Sequence, residues 1–359
     1  MYSGIMDKMN LVGLTVSEIS ELIRAEGYEY CNAVAIANSI YKKRITDLSL
    51  ISRIPKKLQA YLAQITQPVI YRPVASEVSV DKSIKYLFRN PEGLLFETVY
   101  IPENKRDTVC VSTQSGCRMG CPFCATSGYG YHGDLNAGDI INQILGISEA
   151  DKVTHVVFMG MGEPLDNLSN VLKACEILTA EWGMAISRRN ITVSTVGITP
   201  SIIPFLEQSG CNLTLSLFSP FSEERIKTVP AEKKFPVKEI IEIMRDFPVR
   251  KKMRLSVAYV MIRDVNDTDT HMGGLMKMLK GSGIRVNLLP YHKLPGDINV
   301  SSTEERMKFF KHSLVISGIQ ASIRKSRGSD ISAACGLLAS GLAPTRGKKG
   351  YIYNKNQTI

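Results

Sequence analysis

Cys117, Cys121 and Cys124, in the run Cys117-Arg-Met-Gly-Cys121-Pro-Phe-Cys124, place three thiol side chains on one short loop. Thiolates are soft ligands suited to iron–sulfur clusters or zinc. A closed structural zinc site takes four ligands, commonly as two separated pairs. Cys110 could supply a fourth, so a zinc loop stays open at this point. Three cysteines on a [4Fe–4S] cube would instead leave one iron without a protein ligand, free for a small chelating cofactor. Eight cysteines occur in all, at 31, 110, 117, 121, 124, 175, 211 and 335. In a chain with no apolar stretch after its first lysine there is no sign of a secretory leader. Metal or redox roles are then expected rather than structural disulfides.

Two further segments carry chemistry-bearing residues. Phe158-Met-Gly-Met-Gly162-Glu163-Pro164 puts glycines and a carboxylate at the end of a strand pattern. Glycine there permits close backbone approach, and a carboxylate can accept hydrogen bonds from an ammonium. A tight turn would read the same way. Near the far end, Arg327-Gly-Ser-Asp330-Ile-Ser-Ala-Ala-Cys335-Gly336 sets one cysteine among small residues. A lone cysteine is more often an inert buried residue, but this one follows the last strand pattern.

The elements that must position these residues alternate. Strands are expected at Thr108–Ser112, His155–Met159, Ile191–Ser194, Leu213–Leu217, Arg254–Met261, Arg285–Leu289 and Gln320–Arg324. Helical patterns fall between most of them, at Asp139–Ile147, Leu168–Leu178, Ser201–Gln208, Val237–Arg245, His271–Leu279 and Glu304–Ile316. That rhythm predicts βαβ units and a parallel sheet. Six or so units closing on themselves give an α/β fold, a partial (β/α)6-type barrel with its chemistry at the C-terminal strand ends. Ahead of it, residues 1–67 read as a small helical module, with helices at Ser17–Ala25 and at Pro55–Leu62, the latter with Pro55 as first helical residue. Residues 68–107 read as a linking β-hairpin, with strands at Glu77–Val80, Lys85–Phe88 and Leu94–Ile101 and a turn at Asn90–Gly93. The barrel is expected over 108–340 and a basic tail (Arg346, Lys348, Lys349, Lys355) over 341–359.

Lys plus Arg number 44 against 34 Asp plus Glu, a net charge of +10 that favours an anionic partner such as nucleic acid. The front module carries Lys42, Lys43, Arg44, Arg53, Lys56 and Lys57. Such a run is either a solvated face or a grip on RNA backbone. With 44% hydrophobic and 22% charged residues the composition is that of a soluble globular protein. No run of eighteen apolar residues exists, so no membrane span is expected, and a cytoplasmic monomer is the expectation.

With these motifs in place, the chain resembles the radical S-adenosylmethionine (SAM) superfamily, and within it the RlmN/Cfr family of rRNA adenine methyltransferases. The resemblance runs from about Asn10 to Ala339. It includes Glu97-Thr-Val-Tyr-Ile-Pro, Cys110-Val-Ser-Thr-Gln-Ser-Gly-Cys117, Cys124-Ala-Thr, Asn136-Ala-Gly, Ser194-Thr-Val-Gly, Asp264-Val-Asn-Asp and Ala333-Ala-Cys335-Gly. It implies that Cys117, Cys121 and Cys124 ligate a [4Fe–4S] cluster whose open iron binds SAM. Gly162, Glu163, Ser194, Ser216, Leu217 and Phe218 would line the SAM site, with His292 in the same region. Cys335 would accept a methyl group, Cys110 would be its partner thiol, and Glu97 would take a proton at the target adenine. Two SAM molecules would be consumed per turnover, and an electron donor and a thiol reductant would be needed.

The implied substrate is 23S rRNA, with tRNA as a second candidate. Met159-Gly-Met-Gly-Glu-Pro-Leu and Arg327-Gly-Ser-Asp-Ile resemble the branch that methylates adenine C2. Ser219-Pro-Phe-Ser-Glu-Glu-Arg resembles the C8 branch, which confers antibiotic resistance; C2 is favoured. Two positions depart from the family pattern, Phe218 where histidine is usual and His292 where asparagine is usual. Cys31, Cys175 and Cys211 match no family segment and are expected to be packing residues. A non-catalytic RNA-binding iron–sulfur protein is the alternative from another class, and the presence of Glu97, Cys110 and Cys335 together argues against it.

Overall fold

The structure, a computed structural model, describes residues 8–250, 252–294 and 296–339. The basic tail expected over 341–359 lies outside the described residues.

The front module is built from β1 (Met9–Asn10), α1 (Val16–Arg24), α2 (Tyr30–Tyr41), α3 (Lys56–Ile65) and β2 (Thr66–Gln67), with β1 and β2 paired in parallel. A capping box starts α1: Thr15 Oγ1 accepts from Glu18 N, and Glu18 returns its carboxylate to Thr15 N at 2.8 Å. Pro55 is the residue before α3 rather than its first residue. The module sits directly on the body. Gly13 lies so close to Gly138 that a Cβ there would stand 2.4 Å from the Gly138 nitrogen. Arg44 pairs with Asp151, and Lys173 pairs with Glu18.

Next come β3 (Ala75–Val78), β4 (Ile84–Arg89) and β5 (Leu95–Ile101), an antiparallel meander. The three strands expected in the linking segment are present, and β5 bonds directly to β6 (Asp107–Cys110), so they extend the large sheet instead of forming a separate hairpin. The cause is visible in the burial pattern. β4 and β5 are buried along nearly their whole length, as strands inside a sheet are.

From β6 the chain forms β7 (Gln114–Gly116), α4 (Ala125–Tyr129), β8 (Tyr131–Asp134), α5 (Ala137–Leu145), β9 (Val153–Phe158), α6 (Leu168–Thr179), β10 (Ile191–Thr195), α7 (Thr199–Ser209) and β11 (Asn212–Ser216). It continues through α8 (Ser222–Thr228), α9 (Val237–Asp246), β12 (Leu255–Met261), α10 (Asp269–Leu279), β13 (Arg285–Pro290), α11 (Glu304–Ile316) and β14 (Ala321–Ile323). The large sheet runs in the order β14-β13-β12-β11-β10-β9-β6-β5-β4-β3, and every pairing from β14 to β6 is parallel. Each expected barrel strand and helix is present, with ends shifted by one or two residues. The 2-residue alternation sends Val156, Phe158, Val193, Leu213, Leu215 and Val257 outward against the helices, where all are buried. The inward face mixes polar residues, Ser194, Thr214, Ser216, Ser256 and Asn287, with apolar Val157, Val260 and Leu289. Among the described residues no helix is long and apolar enough to cross a membrane.

Candidate active site

The two cysteine motifs and the Gly162–Glu163 turn converge on the C-terminal ends of the parallel strands. Cys117, Cys121 and Cys124 occupy the long loop of the β7–β8 hairpin, an excursion the strand–helix reading did not foresee. Gly116 at the loop's start needs glycine, because a Cβ would fall 1.5 Å from the Gly130 carbonyl oxygen. Cys117 N donates to that same oxygen at 2.9 Å, and Cys124 N to the Cys121 carbonyl at 3.2 Å. Burial raises the Cys117 thiol pKa to about 12, and nearby Cys124 adds to the shift. Burial also pushes up the Cys121 thiol, and Cys124 and Cys117 push it further in the same direction. The thiols thus sit together where only a cationic centre would hold all of them ionised.

Gln114 ties this loop to the Gly162–Glu163 turn. Its side chain donates to Asp134 at 2.8 Å and to Asp166 at 2.9 Å, and accepts from Glu163 N at 2.9 Å. Gly162 has φ +97, and a Cβ there would sit 2.6 Å from that of Gln114, so glycine alone fits. Glu163 is buried, and its carboxylate accepts from Thr195 Oγ1 at 2.6 Å, Val196 N at 2.9 Å and Leu165 N at 3.1 Å. Burial raises its pKa to about 7 against those donors. The carboxylate thus braces the end of β10 against the turn after β9.

Ser194 and Ser216, on adjacent strands, meet at 3.2 Å between hydroxyls. The Leu217 side chain lies wholly in the apolar core, so only its backbone can face the pocket. Phe218 takes a left-handed backbone, φ +63, which costs a non-glycine residue of order 1 kcal/mol. Asn266 holds it there, donating to the Phe218 carbonyl at 2.9 Å and to the Val260 carbonyl at 2.7 Å. This is the physical content of the Asp264-Val-Asn-Asp segment. The Phe218 ring stacks on Phe123, centroids 5.1 Å apart and 19° from parallel, and so packs on the cysteine loop itself. His292 stands beyond β13 with Nε2 2.9 Å from Ser326 Oγ; burial lowers its pKa, which leaves it neutral at pH 7.

Arg225, the last residue of the Ser219-Pro-Phe-Ser-Glu-Glu-Arg segment but given no role by it, is fully buried behind these strand ends. It donates to the carbonyls of Leu217 at 3.0 Å, Val196 at 2.6 Å and Ser216 at 3.3 Å, and pairs with buried Glu232. A lone Arg in an amphipathic Ser-Glu-Glu-Arg helix start gives no sequence signal for such a clamp.

The Cys335 loop closes the site from the other edge of the sheet. Gly336 O accepts from Ala125 N at 2.8 Å, and Leu338 O accepts from Thr126 Oγ1 at 3.0 Å, docking the loop on α4 just after the cysteine triad. Ala339 N donates to Glu97 Oε2 at 2.7 Å. Glu97 is buried on β5, with Lys85 Nζ 3.8 Å from its other oxygen. Cys110 ends β6 and is buried; burial raises its thiol pKa strongly, and Cys335 adds to the shift. The protein around the Cys335 sulfur raises its pKa in turn, as does Cys124, while Arg324 works the other way. Cys110, Cys124, Cys335 and Glu97 are therefore neighbours, although 238 residues separate Glu97 from Cys335 in the chain. Both Cys110 and Cys335 are free thiols. Of the remaining cysteines, Cys31 is exposed, contrary to expectation, with its Sγ 3.8 Å from Glu29 Oε2, while Cys175 and Cys211 are buried against each other.

The chain matches the Radical SAM superfamily model over residues 111–272. It is 40% identical over 335 residues to the probable dual-specificity RNA methyltransferase RlmN of Bacteroides thetaiotaomicron, covering 93% of this chain and 97% of that protein. With the dual-specificity RNA methyltransferase RlmN of Syntrophotalea carbinolica it shares 36% over 332 residues, 92% of this chain and 90% of that one. The chain belongs to the RlmN family. A solved radical SAM methyltransferase from Sphaerobacter thermophilus superposes with a TM-score of 0.84 at 35% identity, covering 92% of this chain and 99% of that one. As an RlmN-family RNA methyltransferase, the chain uses a [4Fe–4S] cluster and SAM. Its own donor set fits the cluster. Among the described residues no three Cys, His, Asp or Glu side chains converge on a single ion. In a cube each thiolate would bind a different iron, so Cys117, Cys121 and Cys124 could hold the cluster without three sulfurs meeting at one point.

Proposed function

We propose that this RNA methyltransferase places a methyl group on C2 of an adenosine in 23S rRNA, and in tRNA as second substrate, through a methyl-cysteine at Cys335. The observation that carries the reading is the meeting of Cys110, Cys335 and Glu97 beside Cys124. A site that only held a cluster would have no use for two extra thiols and a buried carboxylate.

With the cluster and SAM bound, SAM serves twice, as a methyl donor and as the source of a one-electron oxidant for a C–H bond. The chain's own residues supply the rest. Adenine C2 is an electron-poor amidine carbon, so the methyl travels first to a better nucleophile, the Cys335 thiolate. Loss of a hydrogen from that methyl lets its carbon bond to the base, joining Cys335 to RNA through a thioether. Glu97, next to the ammonium of Lys85, takes the proton from the attacked carbon as the adduct's odd electron returns to the electron carrier that supplied it. Cys110 then attacks the Cys335 sulfur, the C–S bond breaks with its electron pair on the product carbon, which takes back the proton held by Glu97 to become the methyl, and a Cys110–Cys335 disulfide is left for an external thiol to reduce. Cys117, Cys121 and Cys124 hold the cluster. Gly162 allows close approach, Glu163 positions the Thr195–Val196 edge, and Ser194, Ser216, the Leu217 backbone, Phe218 and His292 border the SAM site. We take residues 1–67 as an accessory RNA-binding module on a barrel that begins near residue 108, and the cytoplasm as the place of action.

The C2 assignment is supported by the Met159–Leu165 turn and the Arg327–Ile331 segment. The stretch with C8-branch resemblance is spent on structure: Ser219 Oγ accepts from Phe221 N at 3.1 Å and donates to Glu224 at 2.6 Å, starting α8. The test is methylation of ribosomal RNA with labelled SAM by protein carrying Cys335→Ala. Loss of RNA methylation with SAM binding retained is expected; undiminished methylation would overturn the assignment.

A further inference from the structure

Lys85 lies in the middle of the sheet with its side chain 4% exposed, where lysine is almost never found unless paired. Register explains what it meets there. Lys85 stands opposite Glu77 on β3 and opposite Val99 on β5, and Val99 stands opposite Cys110 on β6. Directly opposed residues share a face of the sheet, and so do residues two apart on one strand. Glu77, Lys85, Glu97 and Cys110 therefore form one row on one face, with Glu97 a step nearer the catalytic mouth than Val99.

The row is built in a definite order. Lys85 Nζ lies 3.1 Å from Glu77 Oε2, a hydrogen bond, and 3.8 Å from Glu97 Oε1, a charge contact longer than a hydrogen bond. Glu77 sits on the edge strand with its side chain 42% exposed, and anchors the ammonium from the solvent side. Glu97, wholly buried, is fixed on its other sides. Its second oxygen accepts from Ala339 N, its amide donates to Met161 Sδ at 3.2 Å, and its carbonyl accepts from Ser112 Oγ at 2.5 Å. The titratable groups that share its surroundings are Lys85 from β4, Cys110 from β6 and Cys335 from the loop after β14. Neither thiol can carry positive charge, and Arg324 bears on Cys335. The cation in ion-pair reach of Glu97 is Lys85.

A buried ion pair is weak grounds for stability, since well-packed apolar side chains serve a core as well or better. Its charge is of use to chemistry. A carboxylate sealed among apolar neighbours is costly unless an opposite charge lies beside it, and without one it takes up a proton. A protonated Glu97 could not accept the proton that leaves the adenine carbon.

We propose that Lys85 is a positioning residue for this proton transfer. Tied to Glu77 at the sheet edge, it supplies the positive charge that lets Glu97 stay buried and ionised until the base arrives. The proposal rests on the reading of Glu97 as proton acceptor and adds what keeps it ready. Lys85 touches neither RNA nor SAM and acts through Glu97.

The experiment uses reconstituted holoenzyme already methylated at Cys335 and follows a single turnover on an RNA stem–loop transcribed from 23S rRNA. The variants are Lys85→Met, Lys85→Arg, Glu97→Gln and the Lys85→Met, Glu97→Gln double variant. SAM binding and Cys335 loading report on folding. Glu97→Gln should lose about 10²- to 10⁴-fold in rate, the usual share of a general base. An opposite charge this close lowers a carboxyl pKa by about 1–3 units. Lys85→Met should therefore move the acid limb of the pH–rate profile up by about one unit or more. Below that limb it should lose about tenfold or more in rate, regained as pH rises, with RNA affinity unchanged. Lys85→Arg should leave the limb in place. Once Glu97 is Gln, Lys85→Met should cost nothing further, because its route of action is gone.

A Lys85→Met profile that superimposes on that of the unaltered protein would overturn the positioning role. So would a loss equal at every pH that adds in full to that of Glu97→Gln. Loss of SAM binding and Cys335 loading in both Lys85 variants would also overturn it, since Lys85 would then be structural. Each of these leaves the methyltransferase reading standing. Undiminished transfer by Glu97→Gln would instead remove Glu97 as the acceptor, and the proposal with it.

Discussion

Cys110 and Cys335 come from the first and last parts of the barrel sequence, and they meet because β6 and the loop after β14 end on the same mouth. If Cys335 carries the carbon that joins the base, only a second thiol can release it, and Cys110 is the one in place. Cys110→Ala should still load a methyl on Cys335 and still consume SAM, yet stall with RNA attached. A denaturation-resistant protein–RNA band, lost in the Cys110→Ala, Cys335→Ala double variant, is the expected result on a gel. Normal turnover with no band would remove the two-thiol mechanism. Arg225 sets a second test. Its guanidinium is fully buried on Glu232 and three strand-end carbonyls, so Arg225→Met leaves a buried carboxylate unpaired. Destabilisation of about 3–5 kcal/mol is expected by denaturant unfolding, against a near-neutral effect if the clamp contributed nothing. The triad and Cys335 were legible because their side-chain type and spacing are rare. Arg225, Asn266 and Gln114 were not, because their roles depend on which carbonyls the fold brings near them.

The loop that carries Cys335 is itself held by a reciprocal latch to the β3–β4 turn. Asp330 accepts from Ser79 Oγ at 2.6 Å and Val80 N at 3.1 Å, while Asp81 accepts from Gly328 N at 3.0 Å. Thus the Arg327–Ile331 segment, read in the sequence as part of a catalytic motif, also fastens one sheet edge to the other. Partial burial opposes ionisation of Asp81, but the amides of Gly328 and Ser83 outweigh it and hold its pKa down at about 2. A carboxyl with a depressed folded pKa contributes stability above its unfolded pKa, near 4, and loses it as pH falls toward 2. The latch should therefore be intact at neutral pH and release between about pH 4 and pH 2. Asp81→Asn with Asp330→Asn should let a thiol reagent reach buried Cys110, beneath the loop, faster than in the unaltered protein when both are compared at pH 7. Equal rates for variant and unaltered protein would mean that the latch does not hold the loop. At this scale the sequence predicted the repeating strands and helices well, since their apolar periods are long. The β7–β8 hairpin escaped notice because its strands are short and polar and its loop's conformation is set by the cysteine-rich turn.

The whole molecule places the helical module on one flank of the barrel, and the two are fastened by the Gly13–Gly138 contact and the Arg44–Asp151 and Lys173–Glu18 pairs. Arg44 is thus committed to the body, whereas Lys42 and Lys43 are exposed. Charge reversal at Lys42 and Lys43 should weaken RNA binding and reduce its salt dependence without changing methyl loading of Cys335. Unchanged affinity would take that face of the module out of the RNA site. A net charge of +10 predicted an anionic partner, but a charge count alone does not say which face carries the surplus. The most direct test of the account is nucleoside mass spectrometry of 23S rRNA treated in vitro with holoenzyme and methyl-labelled SAM. It predicts labelled 2-methyladenosine with the unaltered protein and none with Cys335→Ala. Label at C8, or label at C2 that persists without Cys335, would contradict it.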